Sequence, residues 1–131
     1  MEKIYNFAKN GGKMDTFSIK RIDNDSYSTL HLNGFLDAHT APELENEFEK
    51  LSDEGRFNII VNFEELNYIS SAGLGVFMGC IENIRANNGD IKMCCMTPKI
   101  FRVFDLLGFP ALYDIVDDEA KAVTLFNKLE A

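Results

Sequence analysis

A largely apolar run, Phe57 to Phe63, is followed shortly by apolar residues at helical spacing: Leu74, Met78, Ile81 and Ile84. A continuous apolar run of strand length suits a strand covered on both faces. A strand that gives way to a helix returns to its sheet parallel, through a crossover. Between the two lies Asn67-Tyr68-Ile69-Ser70-Ser71-Ala72-Gly73-Leu74-Gly75. Two hydroxyls therefore fall where a strand hands over to a helix. The first N–H groups of a helix lack partners and carry partial positive charge. A serine there can cap the helix, and a phosphate on it would find donors and a favourable field.

The same alternation extends over the chain. Thr16 to Ile22 reads as a first strand, Asp23-Asn24-Asp25 as a turn, and Tyr27 to Leu36 as a second strand broken by Asn33-Gly34. These two form a hairpin. Asp37 to Glu54 reads as a helix, capped by Asp37 or Thr40, with Pro42 early and Leu44, Phe48 and Leu51 on one face. Phe57 to Phe63 is the third strand, and the second helix starts near Ser71 and ends before Asn87-Asn88-Gly89. Asp90 to Met96 is the fourth strand. Pro98 opens a third helix with Ile100, Val103, Phe104 and Leu107 on one face, stopped by Gly108-Phe109-Pro110. Leu112 to Val116 is a fifth strand, and Asp117-Asp118 caps a last helix with Ala120, Val123 and Phe126 inward. The expected class is α/β: a single domain over residues 14–131, with a mostly parallel five-stranded sheet and four helices. Its first strand is antiparallel in an N-terminal hairpin. Residues 1–13 read as a flexible arm that lacks the apolar centre of a secretory signal.

Composition narrows the function. The 131 residues carry a net charge of −8, which disfavours nucleic acid and anionic membrane surfaces. No apolar run is long enough for a membrane span. Cys80, Cys94 and Cys95 form no C-x-x-C pair, so reduced thiols in a cytoplasm are expected and metal binding is not. Cys94 and Cys95 should point to opposite faces of a strand. There is no phosphate-binding loop, dinucleotide fingerprint or G-x-S-x-G, so neither a cofactor nor an enzyme activity is expected. His31 reads as a solvated strand residue and His39 as a loop residue, the sole near base for a serine nucleophile. Glu64 and Glu65 read as a solvated turn, and Phe101 as an exposed residue suited to an interface. Gly73 and Gly75 fit either close approach of a partner or tight helix packing.

Three segments together resemble the STAS domain of bacterial anti-sigma-factor antagonists. They are Leu32-Asn33-Gly34-Phe35-Leu36-Asp37 with Thr40-Ala41-Pro42-Glu43-Leu44, then Asn58 to Phe63 with Tyr68 to Leu74, and then the fourth strand with Phe101 to Phe109. The resemblance covers residues 14 to 130. It implies a switch protein whose unphosphorylated form binds an anti-sigma factor with serine kinase activity, frees a sigma factor, and is reset by a serine phosphatase. It places the phosphate on Ser71, with Ser70 the alternative acceptor. Ser70 stands where many members have Asp, and Asn62 likewise. The implied partner contacts are Asp37, Ala38, His39 and Thr40, together with Ser70, Ala72, Gly73 and Leu74. A non-switching STAS scaffold or ligand-binding accessory module is the alternative that the residues leave open.

Overall fold

A computed structural model describes residues 3–7 and 16–130. The strands are β1 (Lys3–Phe7), β2 (Phe17–Asp23), β3 (Ser28–Leu36), β4 (Asn58–Ile69), β5 (Asp90–Cys94) and β6 (Asp114–Val116). The helices are α1 (Ala41–Asp53), α2 (Ser71–Ala86), α3 (Pro98–Leu106) and α4 (Glu119–Glu130), with a short 3-10 turn at Phe109–Ala111. The sheet order is sequential, β1-β2-β3-β4-β5-β6. β2 and β3 form the expected antiparallel hairpin, and β3 to β6 run parallel. The five strands and four helices of the expected α/β class are all present.

Each parallel crossover steps one strand in the same direction, so crossovers of one hand lay their helices on one face. α1, α2 and α3 cover that face. Leu44, Phe48 and Leu51 of α1 meet Phe77 of α2, Phe104 of α3 and Leu30, Leu32, Val61 and Phe63 of the sheet. Phenylalanine rings carry the contact: Phe63 lies 5.2 Å from Phe104 and 5.8 Å from Phe77, mostly in tilted or edge-on pairs. The Tyr113 hydroxyl donates to the Phe77 carbonyl at 2.9 Å, which satisfies the one polar atom that its buried ring brings in. Among the described residues, the other face is covered by α4 alone, where Ala122 and Phe126 pack on Ile60 and Cys94.

Several expectations are corrected. Lys3–Phe7, within the segment expected as a flexible arm, pairs antiparallel with β2 and makes a sixth strand. β2 would otherwise offer an open edge of unpaired backbone groups. Gly11 and Gly12 lie outside the described residues. β3 is not broken at Asn33-Gly34 but runs to Leu36, with Gly34 at φ 96° beside the Thr16 carbonyl, to which Phe35 N–H donates at 2.7 Å. β4 does not stop at Phe63; it continues to Ile69, so Glu64 and Glu65 are strand residues. α1 starts at Ala41, because Asp37 to Thr40 form a turn of their own. Leu107 is exposed past the end of α3, and on α4 it is Ala122, not Ala120, that is buried. β5 ends at Cys94, and Cys95 takes a left-handed backbone at φ 64°, so the two do not alternate along a strand.

Candidate functional site

The parallel register of β3 and β4 pairs Phe35 with Tyr68 and Leu36 with Ile69. The segments that leave the two strands, Asp37–Thr40 and Ser70–Ala72, therefore emerge side by side at the C-terminal ends of the central parallel strands. Ser70 N–H donates to the Leu36 carbonyl at 2.9 Å and ties them together.

Each segment has internal bracing. The Asp37 carboxylate accepts from the N–H groups of His39 at 2.9 Å and Thr40 at 3.2 Å, an Asx-type turn. The buried Thr40 hydroxyl accepts from Asp37 N–H at 2.9 Å and donates to the Phe35 carbonyl at 2.8 Å. Thr40 makes no side-chain cap to α1. Ala38 and His39 are left exposed at the tip.

Ser70 is the N-cap of α2, with extended backbone, and its hydroxyl accepts from Gly73 N–H at 3.4 Å. Ser71 is the first helical residue and is exposed, as is Ala72. The first turn holds no acidic side chain, so the positive end of the helix dipole is not offset from within the helix. The structure thus gives the two serines different positions: Ser70 turns back to the backbone, and Ser71 faces out.

Gly73 and Leu74 are buried, as is Thr40, unlike the rest of the implied contact set. A Cβ at Gly73 would stand 2.8 Å from Leu36 Cγ and 3.0 Å from the Leu36 carbonyl oxygen, so Gly73 serves tight helix packing. Gly75 has open space and stays on the surface. The outward surface is therefore Ala38, His39, Ser71, Ala72 and Gly75, with Asp37 and Ser70 half-buried beneath it.

Asn62 lies elsewhere. Its side chain donates to Glu119 at 3.0 Å and accepts from Glu64 N–H at 2.9 Å, which fastens β4 to the start of α4. His31 lies on that face too, its Nε2 3.4 Å from the Glu119 carboxylate but without hydrogen-bond geometry. Burial pushes the Cys80 thiol up to about 12 and raises Cys94 as well, which removes thiolate character from both. Two residues beside the site went unmarked as site candidates in the sequence: Phe35 and Tyr68, each two positions before its segment, are exposed and in ring contact. Their matching offsets from Asp37 and Ser70 were the available signal.

Among known families, the STAS domain matches residues 16–122. The chain belongs to the STAS domain family. The anti-sigma-B factor antagonist of Staphylococcus epidermidis is 30% identical over 98 residues, which cover 75% of this STAS chain and 91% of that one. The Staphylococcus aureus (strain NCTC 8325 / PS 47) protein of the same name is 29% identical over the same span, again 75% and 91%. The STAS fold is matched by an anti-sigma factor antagonist from Mycobacterium paratuberculosis, with TM-score 0.76, 19% identity, and 83% and 92% of the two chains covered. It is matched also by the anti-sigma factor antagonist SpoIIAA in its unphosphorylated form, with TM-score 0.65, 21% identity, and 88% and 98% covered. Among the described residues, no helix is long and apolar enough to cross a membrane.

Proposed function

We propose that this STAS protein is an anti-sigma-factor antagonist that is switched off by phosphorylation of Ser71. Its unphosphorylated form binds an anti-sigma factor with serine kinase activity and so frees a sigma factor; a serine phosphatase restores it. The observation that carries this reading is the exposed Ser71 on the first turn of α2, set beside the Asp37–Thr40 segment by the β3–β4 register. The names of the staphylococcal relatives support the partner class. The phosphorylated form described for the Bacillus protein SpoIIAA, matched with TM-score 0.66 at 22% identity, is a property of that protein.

Phosphoserine adds nearly two negative charges and three strong acceptor oxygens. At the start of a helix it sits in a favourable field, so its effect falls on the docked partner through bulk and charge. A penalty of roughly 3–4 kcal/mol, several hundredfold in affinity, is within reach of charge inserted into an interface.

The test is intact-mass and phosphopeptide analysis after incubation with ATP and each serine-kinase-type anti-sigma factor of the same genome. One phosphate on Ser71 is expected. Ser71→Ala keeps kinase affinity and takes no phosphate, while Ser71→Glu binds several hundredfold more weakly. Equal affinities for the two variants overturn the switch. Phosphate on Ser70 moves the acceptor to the alternative position. Binding with no phosphate on either serine leaves the non-switching scaffold reading.

A further inference from the structure

β3 and β4 extend past α4, the helix that covers their second face among the described residues. α4 begins at Glu119, level with Asn62 and His31, and runs from there toward Ile60 and Lys92, where Phe126 lies 5.1 Å from the Lys92 ammonium. Phe35 is four residues beyond His31 on the same face of β3, about 13 Å along the strand. It therefore stands clear of α4. So does Tyr68, its register partner on β4. The rings are 48% and 43% exposed, with centroids 6.2 Å apart. Two bulges in β4 produce this: between the His31↔Asn62 and Asn33↔Glu65 pairs, and again between Gly34↔Leu66 and Phe35↔Tyr68, β4 carries one more residue than β3. The second bulge brings Tyr68 onto the surface beside Phe35 while Leu66 and Ile69 stay in the core.

An exposed pair of large aromatic rings, fixed to two strands rather than to a loop, has the character of an interface anchor. Its position says which interface. Tyr68 is three residues before Ser71, and Phe35 two before Asp37. The flanking exposed side chains are Asn33, Glu64, Glu65 and Asn67.

We propose that Phe35 and Tyr68 anchor the anti-sigma factor itself, so that the partner wraps over the C-terminal end of β3 and β4 from the Ser71 surface onto the α4 side. The inference rests on the function proposed above. The partner element that fits is an apolar patch with basic residues at its rim, complementary to Glu64 and Glu65 and to a chain of net charge −8. The rings hold the kinase whether or not phosphate is transferred. They therefore govern affinity and the KM for phosphorylation, and leave kcat alone.

The experiment measures binding and Ser71 phosphorylation kinetics with the anti-sigma factor kinase of the same genome. The variants are Phe35→Ala, Tyr68→Ala, their double variant, Tyr68→Phe and Tyr68→Lys. Leu106→Ala, at a residue 79% exposed on α3, controls for general loss of apolar surface. Thermal melts and circular dichroism establish that each variant is folded. The expected loss is about tenfold for each alanine variant and about 100-fold for the pair. KM rises in step and kcat is unchanged. Tyr68→Phe stays near wild type, and Tyr68→Lys, set against a basic rim, binds worse than Tyr68→Ala. Wild-type affinity in folded Phe35→Ala and Tyr68→Lys, with binding still lost in Ser71→Glu, overturns the anchor and leaves the switch standing. A loss in Leu106→Ala equal to that in the ring variants also overturns it, by moving the footprint to α3. If the wild-type protein binds none of these kinases, the function proposed above fails and the anchor fails with it.

Discussion

Gly73 and Gly75, in the first turn of α2, look alike in the sequence and do opposite things in the fold. Gly73 lies against Leu36 and Ile69, with no space for a Cβ; Gly75 meets nothing within 4 Å. Gly73→Ala should cost about 1–3 kcal/mol, because the clash falls on a backbone carbonyl and the base of a core leucine. Gly75→Ala should stabilise by roughly 0.5–1 kcal/mol, since an exposed helical glycine gives up conformational entropy for no contact. Urea titrations of the two variants check both signs. The serines divide similarly. Spacing alone leaves cap and acceptor open, and the fold gives Ser70 the cap bond and Ser71 the exposed position. A one-residue difference at a helix start rotates a side chain by about 100°, which is finer than a periodicity argument resolves.

At the scale of elements, β2 and α1 are locked by a charge cluster. Arg21 is buried on β2 and holds Asp23 at 2.9 Å, Glu47 of α1 at 3.1 Å, and Glu54 just beyond α1 at 2.6 Å. Burial acts to raise the Asp23 carboxyl, but bonds from Arg21 and Ser28 outweigh it and hold Asp23 below the ordinary carboxylate range. Its unfolded value, about 4, is the higher of the two. The unfolded chain therefore takes up the proton first, and the contribution is complete above about pH 4 and lost as pH falls through the folded value. Urea midpoints measured down a pH series should drop below about pH 4, and Asp23→Asn should flatten that drop. Removing Arg21 leaves the buried Glu47 carboxylate without its ion-pair partner and should cost about 3–5 kcal/mol, while Asp23 keeps Ser28 and Arg56. The elements were legible in the sequence and the cluster was not, because Arg21 and Glu54 lie 33 positions apart. The bulges of β4 were hidden for a different reason. Phe63, Leu66 and Ile69 reach the core every third residue, a spacing that no regular strand has, so the apolar run that marks this strand in the sequence ends at Phe63.

For the molecule as a whole, the candidate site belongs to the surface and not to the core. Ser71→Glu should therefore leave the unfolding free energy within about 1 kcal/mol of wild type, with the helix field offsetting the added charge. A larger loss by thermal or chemical denaturation would make the switch a local unfolding event instead. From the sequence alone came the α/β class, the hairpin, the inward face of α1 and the serine pair at a strand-to-helix handover. Those features follow from local periodicity and capping chemistry, which act over a few residues. On α2, Leu74 and Ile84 are buried as expected, but Met78 is 50% exposed and Phe77 holds the core position instead. Tertiary structure decided what depends on pairing distant segments. The Leu36↔Ile69 register sets the Asp37 and Ser70 segments side by side. β1 closes the edge of β2. α4 starts short of Phe35 and Tyr68 and runs away from them, which leaves both rings partly in water. Register and coverage depend on where two chain segments lie in space, and no local pattern specifies that.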